Sequence, residues 1–584
     1  MKKLAFLLSL LSSTAFAQTN IHFANPEVTD IVAGDFDEAD YEPSNVFDDP
    51  HAIAAELTNR INPDSLKSYL EKMSSFETRH TSSDTMSSTR GMGAARTWAL
   101  NKFDQFSAQN ENRLISSYLQ FDENICDVTR HKNIVAVLPG IPNIDSVIDP
   151  FPHSVVFIEA HFDSRCNTSC DTGCVANGME DNGSGSALVL ELARIMSKYK
   201  FKSTILFMLT TGEEQGLNGS NAMAQYCEDN NINVRAVLNN DVIGGITCGE
   251  TSSPPSCPGL NDIDSTQVRF FSAGIFNSRY KQLTRYVKLQ YKEELEEHVK
   301  VPMDLTIMNA EDRTGRGGDH IPFRQRGYLA MRFTSANEHG DAGTADTNYH
   351  DRQHTSDDIL GVDTDNDGDL DSFYVDFNYL ARNAAINANA ATMLAQDVCS
   401  DLGFEVVQKN WHQVTVQIGG DWCAEGPFRI AYRTETNDWD TLVTTDQYST
   451  DVEVTPGNIH FFSVCRLNSE GIESLFTGEQ FIDIVGVDEP NFGSGIKLLQ
   501  NKPNPFDETT SISYIVYDMP QNSQATIVVR GVNGRIVSSI KSKVQPGVNE
   551  VLYDHGYGQQ GTFFYSLMID GKELATKKMV FVAN

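Results

Sequence analysis

The chain reads as an α/β protein, a mostly parallel mixed sheet flanked by helices, followed by two small all-β sandwich units. Three observations predict this. Between residues 131 and 395 apolar, β-branched runs alternate with segments of helical period, the pattern of a sheet covered by helices on both faces. Beyond residue 400 short alternating strands separated by turn residues take over, as in a β-sandwich. At 584 residues the chain is also too long for one ordinary core.

Taken in order, residues 1–17 (MKKLAFLLSLLSSTAFA) have two lysines, a short apolar stretch and a small-residue cleavage site, which marks a secretory signal peptide. The stretch is too short to span a bilayer, and no later run has the length that a transmembrane helix needs. Residues 18–50 are polar and acidic without sustained periodicity, which predicts an extended leader or propeptide. Helical spacing of apolar residues runs from His51 to Met73 and again from Ala94 to Phe106. Strands are then expected at HKNIVAVLP, SVVFIEA, STILFMLT, VRAVLNN and YLAMRFT, with helices at Ser184 to Tyr199, near Ser220 to Cys227, and from Phe377 to Ala395. These place the catalytic unit at residues 51–399 and the two β units at 400–486 and 497–584. In the first β unit Trp411, Tyr432 and Phe462 are the expected core aromatics.

The formal net charge of −34 excludes the basic footprint of a nucleic-acid-binding protein and suits a soluble extracellular one. Export also explains the ten cysteines, an even number that favours disulfides. Cys248 and Cys257 bracket a proline-rich loop as a local staple, and Cys166, Cys170 and Cys174 read as disulfide partners rather than a metal cluster.

Four strings carry the chemistry: HFD (161–163), EDNGSG (180–185), EEQG (213–216) and NND (239–241). Each lies at the carboxyl end of an apolar run or opens the helix after one, where parallel α/β sheets build their sites. Two neighbouring divalent metals require His and Asp/Glu ligands, one shared carboxylate, and a further carboxylate to handle a proton. His161 ends the first run, and Asp163, on the same side of an extended chain, is expected to accept its second ring N–H. Asp181 precedes a helix that Asn182 or Ser184 can cap, and its two oxygens suit a bridge between metals. Of the adjacent Glu213 and Glu214, one can bind metal while the other holds the attacking water.

With HTSDD (354–358) added, residues from about 50 to 398 resemble the zinc aminopeptidase family that includes secreted bacterial leucyl aminopeptidases, glutamate carboxypeptidase and glutaminyl cyclases. The resemblance implies two zinc ions: one held by His161 and Asp241, another by Glu214 and His354, with Asp181 bridging both and Glu213 as general base. The H-T-x-x-D context selects His354 over His350. Asp319 and His320 of RGGDHIPF are read as supporting groups rather than ligands. Glu180 departs from the family, which more often has Asp there. The implied reaction is removal of N-terminal residues from peptides or proteins. Glu213 takes the proton of the attacking water and returns it to the leaving amine.

Any one of these residues alone reads more simply as a packed or solvent-facing side chain; five ordered matches at strand ends do not. Carboxypeptidase and glutaminyl cyclase chemistry are the alternatives on this scaffold, with Arg313 and Arg316 as candidate partners for a substrate carboxylate. A catalytically inactive surface binding or adhesion module would be expected to have lost a ligand or the base, and none is missing. The acidic loop DTDNDGDLDS offers Asp363, Asp365, Asp367, Asp369 and Asp371 with Gly368 in sixth place, as in a calcium loop, although Tyr374 stands where a twelfth-place Glu belongs. The first β unit resembles a fibronectin type III domain. The segment 497–584 (LLQNKPNPFDETTSISYIV, VNGRIV, GTFFYSLMIDGK, KKMVFVAN) resembles the type A C-terminal sorting domain of the type IX secretion system. That resemblance implies a Gram-negative bacterium, partnership with that machinery, and a secreted or cell-surface protein.

Overall fold

The computed structural model describes residues 18–582 except 143–152, 249–261, 275–277, 314–316, 337–351, 397–401, 420–425, 435–437, 485–495, 503, 507–508, 517–523, 546 and 556–559. Strands β1 (Thr19–Phe23), β2 (Ile115–Ile125), β3 (Val128–Leu138), β4 (Val155–His161), β5 (Thr204–Thr210), β6 (Val234–Asn240), β7 (Gln267–Ser272), β8 (Asp304–Ile307) and β9 (Ala330–Ser335) form one sheet in the order β1-β2-β3-β5-β4-β6-β9-β7-β8. The central run β5-β4-β6-β9 is parallel, and antiparallel pairings of β3 with β5 and of β9 with β7 close it on either side. The sheet is therefore mixed, with its parallel part at the centre.

Helices α1 (Pro26–Ala33), α2 (Pro50–Arg60), α3 (Pro63–Ser74), α4 (Gly91–Gln109), α5 (Gly185–Met196), α6 (Asn218–Asp229), α7 (Arg279–Gln290), α8 (His320–Gln325) and α9 (Phe377–Gln396) cover both faces. Strand alternation sorts the core: Val156, Ile158 and Ala160 of β4 pack with α2–α5 and α9, whereas Val155 and Phe157 face α1, α6 and α8. Every residue of β4 and β5 is buried, as a sheet covered on both faces requires. The apolar period from His51 to Met73 is two helices, because Asn62 caps a new first turn that begins with Pro63.

Residues 18–50, expected as an extended leader, are folded into this unit. β1 pairs with β2 at the sheet edge, and α1 buries Val28, Ile31 and Val32 beside Phe23.

The first β unit has strands Gly403–Asn410, Gln413–Gly419 and Ser449–Glu453 in one antiparallel sheet. Thr441–Thr445, Phe428–Arg433, Ile459–Arg466 and Gln480–Asp483 form the other. Phe462 is fully buried and Tyr432 stacks on it with ring centroids 5.3 Å apart. Trp411 corrects the expectation of a core residue: it is 47% exposed, because it lies in the turn between the first two strands. This unit packs on α7, where Gln282 donates to Ser463 Oγ (2.7 Å) and the Tyr286 hydroxyl to the Glu473 carbonyl (3.1 Å). Cys465, Leu475 and Phe476 join the core of the large unit. The second β unit repeats the plan with sheets of three and four strands between Ile496 and Phe581.

Disulfides join Cys126 to Cys170 and Cys166 to Cys174. Cys248 is disulfide-bonded, and Cys257 lies outside the described residues. Among the described residues no helix is long and apolar enough to cross a membrane.

Candidate metal centre

β4 and β6 are hydrogen-bonded parallel neighbours with Glu159 opposite Asn239, so His161 and Asp241, two residues further along each chain, emerge side by side at the strand ends. His161 Nε2 lies 3.3 Å from Asp241 Oδ1 and 3.0 Å from Asp181 Oδ1. On the far side of Asp181, its Oδ2 is 3.1 Å from His354 Nε2, which is itself 3.1 Å from Glu214 Oε2. Two triads thus form, His161–Asp181–Asp241 and Asp181–Glu214–His354, each with ligand atoms within 4.8 Å of one another. Asp181 gives one oxygen to each. His350 lies outside the described residues.

These donors fit zinc. Imidazole and carboxylate are its borderline ligands, and His161 Nε2 is buried between carboxylate oxygens of Asp181 and Asp241. The electrostatics ask for cations as well. Burial disfavours charge on His161, yet Glu213 and Asp241 hold its imidazole protonated well above the usual range; burial likewise opposes charge on His354, but Glu214 and Asp181 raise it to about 9.

Asp181, the residue common to both triads, is held through its backbone. Both oxygens of Asp358, the last residue of HTSDD, accept backbone amides, from Glu180 N and Asp181 N at 2.9 Å each. Fully buried Arg79 binds the Phe162, Asn177 and Gly178 carbonyls around the same turn. The Asp181–Asn182 peptide is cis. Asn182, rather than Ser184, caps α5: its Oδ1 accepts Gly185 N (2.9 Å) and also reaches Val242 N (3.3 Å). The departing residue Glu180 accepts Gly244 N (3.1 Å) and Gly245 N (2.7 Å), so the longer side chain ties this turn to the loop after Asp241.

Asp163 plays a different part from the one expected. Its backbone carbonyl lies nearest His161 Nδ1, at 3.1 Å, with its carboxylate Oδ1 beyond hydrogen-bond reach at 3.8 Å, while the carboxylate accepts the amides of Glu213 and Glu214 at 3.3 Å each. It orients the imidazole through the main chain and fixes the turn that carries both glutamates. Burial, with Glu214 and Asp319 nearby, pushes the Asp163 carboxyl up to about 7. Glu213 belongs to neither triad; desolvation, then Glu214 and Asp241, hold its proton well above the usual carboxylate range. Two residues of the centre's surroundings sit in left-handed backbone, Val242 (φ 53°) after Asp241 and His354 (φ 59°). For a β-branched residue this is strained, and Ser335 N (2.9 Å) and Thr334 Oγ1 (3.1 Å) hold the Val242 carbonyl in place.

Sequence reasoning missed three arginines. Arg332 in β9 is fully buried and bridges Asp241 Oδ2 (3.2 Å) and Asp312 Oδ1 (2.8 Å); a cation inside the apolar run YLAMRFT was its signal. Arg165 donates from Nε to Glu214 Oε2 (2.8 Å), and its Nη2 lies 2.8 Å from His354 Nδ1. Arg79 left no mark in its local sequence. Asp319, which accepts a hydrogen bond from the Thr210 hydroxyl, and His320 stand outside both triads. Arg313 is buried beside Asp312, and Arg316 lies outside the described residues. In the acidic loop Asp363, Asp365 and Asp371 draw together, whereas Asp367 and Asp369 do not join them.

A parallel sheet centre whose strand ends carry two imidazole–carboxylate triads with one shared aspartate defines a metal-dependent enzyme centre. The model of peptidase family M28 matches residues 133–370. A probable zinc metalloprotease of Pyrenophora tritici-repentis is 33% identical over 50% of this chain and 67% of its own length, and one of Leptosphaeria maculans is 32% identical over 57% and 74%. The chain belongs to peptidase family M28. Among solved structures, the Legionella pneumophila LapA aminopeptidase (18% identical, TM-score 0.42, 61% of this chain and 78% of that one) and the Porphyromonas gingivalis glutaminyl cyclase (14%, 0.37, 57% and 98%) are similar.

Proposed function

We propose that the chain is a secreted metallo-aminopeptidase that binds two zinc ions, the first at His161 and Asp241 and the second at Glu214 and His354, with Asp181 shared. The observation that carries this is Asp181 presenting one oxygen to each triad while Glu213, outside both, stands free of ligand duty. When bound, the ions supply Lewis acidity toward a peptide carbonyl and a water of lowered pKa. Glu213 is the group that accepts the water proton and passes it to the leaving amine. Asp163 holds the turn on which Glu213 sits, and Asp358 holds the backbone of the shared ligand.

Aminopeptidase is preferred to carboxypeptidase because Arg313, one of the two cations near enough in sequence to take a substrate carboxylate, is buried beside Asp312. Glu213→Gln is expected to lower kcat on aminoacyl anilides by about 10²- to 10⁴-fold while zinc content stays at wild-type level. Acetylating the substrate α-amine should abolish cleavage. Unchanged cleavage of the acetylated substrate rejects the aminopeptidase reading.

The flanking segments complete the reading: a signal peptide at 1–17, a fibronectin type III-like unit, and a type IX sorting domain that hands the protein to its export machinery. The loop at Asp363, Asp365 and Asp371 is read as a Ca²⁺ brace close in sequence to His354; calorimetry with Ca²⁺ showing neither heat nor a rise in melting temperature removes it.

A further inference from the structure

The second β unit has a sheet that is covered on both faces. Its strand Thr509–Val516 lies between Ile496–Leu498 and Gly547–Asp554, and Ile512, Tyr514 and Val516 point into the unit's own core. In a free-standing antiparallel sandwich the alternate residues would meet water. Here Ser511, Ser513 and Ile515 are buried as well, and so is Val548, the residue paired with Ile515 on the neighbouring strand. Ile459, Phe461 and Phe481 of the first β unit cover Leu499, Ile515 and Val548, and Lys497 Nζ reaches Asp483 Oδ2 across the same seam (3.1 Å).

Glu550 follows Val548 by two residues and shares this outer face, paired with Ser513. Its charge acts on Lys281, a buried residue of α7. Burial pushes the Lys281 ammonium down to about 7; Glu550 is the charge that most opposes this, ahead of Glu311, while Arg285 adds to it. Burial likewise pushes the Glu550 carboxyl up to about 7, against Ser511 and Lys281. Lys281 Nζ donates to the Ser272 carbonyl at the end of β7 (2.7 Å) and to the Met308 (2.6 Å) and Ala310 (3.4 Å) carbonyls of the segment after β8. Three acceptors for three N–H groups is the geometry of a charged ammonium. Two residues beyond Ala310, Asp312 Oδ1 accepts Arg332 Nη1 (2.8 Å), and Arg332 Nη2 lies 3.2 Å from Asp241 Oδ2. A line of charges and hydrogen bonds therefore runs from the second β unit to the strand end that carries Asp241.

We propose that the outer face of this sheet, from Ser511 to Ile515 and from Val548 to Glu550, is an intramolecular docking surface for the first β unit and α7, and that docking braces the segment from Met308 to Asp312 through Lys281. A buried ammonium that loses its compensating carboxylate is costly to keep, and it is relieved by turning toward water, which releases the Met308 and Ala310 carbonyls. The second β unit thereby sets the order of the segment beside the metal centre, and any partner that seizes its outer face competes with the catalytic unit for it. None of this depends on the metals or on the bond cleaved at the centre.

The test is hydrogen–deuterium exchange of the full chain, read on peptides that cover residues 308–312, in wild type, Glu550→Gln, Glu550→Lys and Leu552→Lys. Glu550→Gln keeps the shape and removes the charge, and exchange there should rise about three- to tenfold, the scale of a coupling between neighbouring side chains. Glu550→Lys sets two cations together and should raise it further. Leu552 shares the outer face but is 45% exposed, so Leu552→Lys adds a charge without touching Lys281 and should leave exchange within about twofold of wild type. In a Lys281→Met chain Glu550→Gln should add nothing, because the ammonium it acts on is gone. Exchange within about twofold of wild type in both Glu550 variants overturns the proposal. So does a rise in Leu552→Lys as large as in Glu550→Lys, or a further rise on adding Glu550→Gln to Lys281→Met. Where Glu550→Lys or Lys281→Met fails to fold, Glu550→Gln against wild type decides: the rise supports the brace, and unchanged exchange overturns it.

Discussion

Asp358→Asn tests whether the shared ligand is set by its backbone. Asp358 is 3% exposed, and each carboxylate oxygen accepts one amide, Glu180 N and Asp181 N, at 2.9 Å. Asparagine fills the same volume but has a single acceptor oxygen, so its amide nitrogen would face a backbone N–H, donor against donor. Losing one charge-assisted bond and leaving one buried N–H unmet amounts to about 2–4 kcal/mol at this turn. Asp181 offers an oxygen to both triads, so the disturbance reaches both. Zinc affinity in each step should fall by about 10- to 100-fold, the range for losing a group that orients a ligand. Titration of the metal-free protein against a chelator measures this, and anilide activity at saturating zinc should recover in part. Both affinities staying within about twofold of wild type would refute the claim that Asp358 positions the bridge.

Glu479 lies buried between Arg433 (Nε–Oε1 2.7 Å) and Arg285 (Nη1–Oε1 3.5 Å) where the first β unit meets α7. Glu479→Gln leaves two buried guanidinium groups without their shared anion and should destabilise the chain by about 3–5 kcal/mol in calorimetry; an unchanged melting temperature argues against a fixed junction. Within the same unit, Phe462→Ala should remove about 3–5 kcal/mol, whereas Trp411→Ala should stay within about 0.5 kcal/mol in denaturant unfolding. Equal effects would contradict the turn placement of Trp411.

The clustering of the candidate site was legible because its chemistry restricts both residue type and place. His161, Asp181, Glu214 and Asp241 follow β-branched runs or open helices, and a parallel sheet brings such positions together without further information. His354 was chosen by the H-T-x-x-D context of the family resemblance, and the last aspartate of that string accepts the Asp181 amide. What stayed hidden depends on contacts distant in sequence. In residues 18–50 the apolar residues Phe23, Val28, Ile31 and Val32 are scattered among acidic ones, and they gain a core when β1 joins β2 some hundred residues away. Asp163 was assigned the right neighbour and the wrong atoms, because local spacing does not say whether a carbonyl or a carboxylate meets the imidazole. Trp411 sat one step beyond the strand phase, and a turn placed it outside.

The centre also combines two grades of rigidity. His161 and Asp241 stand at the ends of β4 and β6, hydrogen-bonded neighbours buried on both faces, and Arg332 behind Asp241 is itself immobilised inside the sheet. Glu214 rides on a turn fixed by Asp163, and His354 comes from a connecting segment and adopts left-handed backbone, with Arg165 on a surface loop as its neighbour. Groups held at strand ends inside the sheet lose little freedom on binding a partner, whereas groups on turns and connecting segments have more to lose. Asp181 belongs to both halves, and its backbone is clamped by Asp358 from the His354 segment. Movement of that segment therefore reaches Asp181 as well as His354, which couples the geometry of the looser triad to that of the stiffer one.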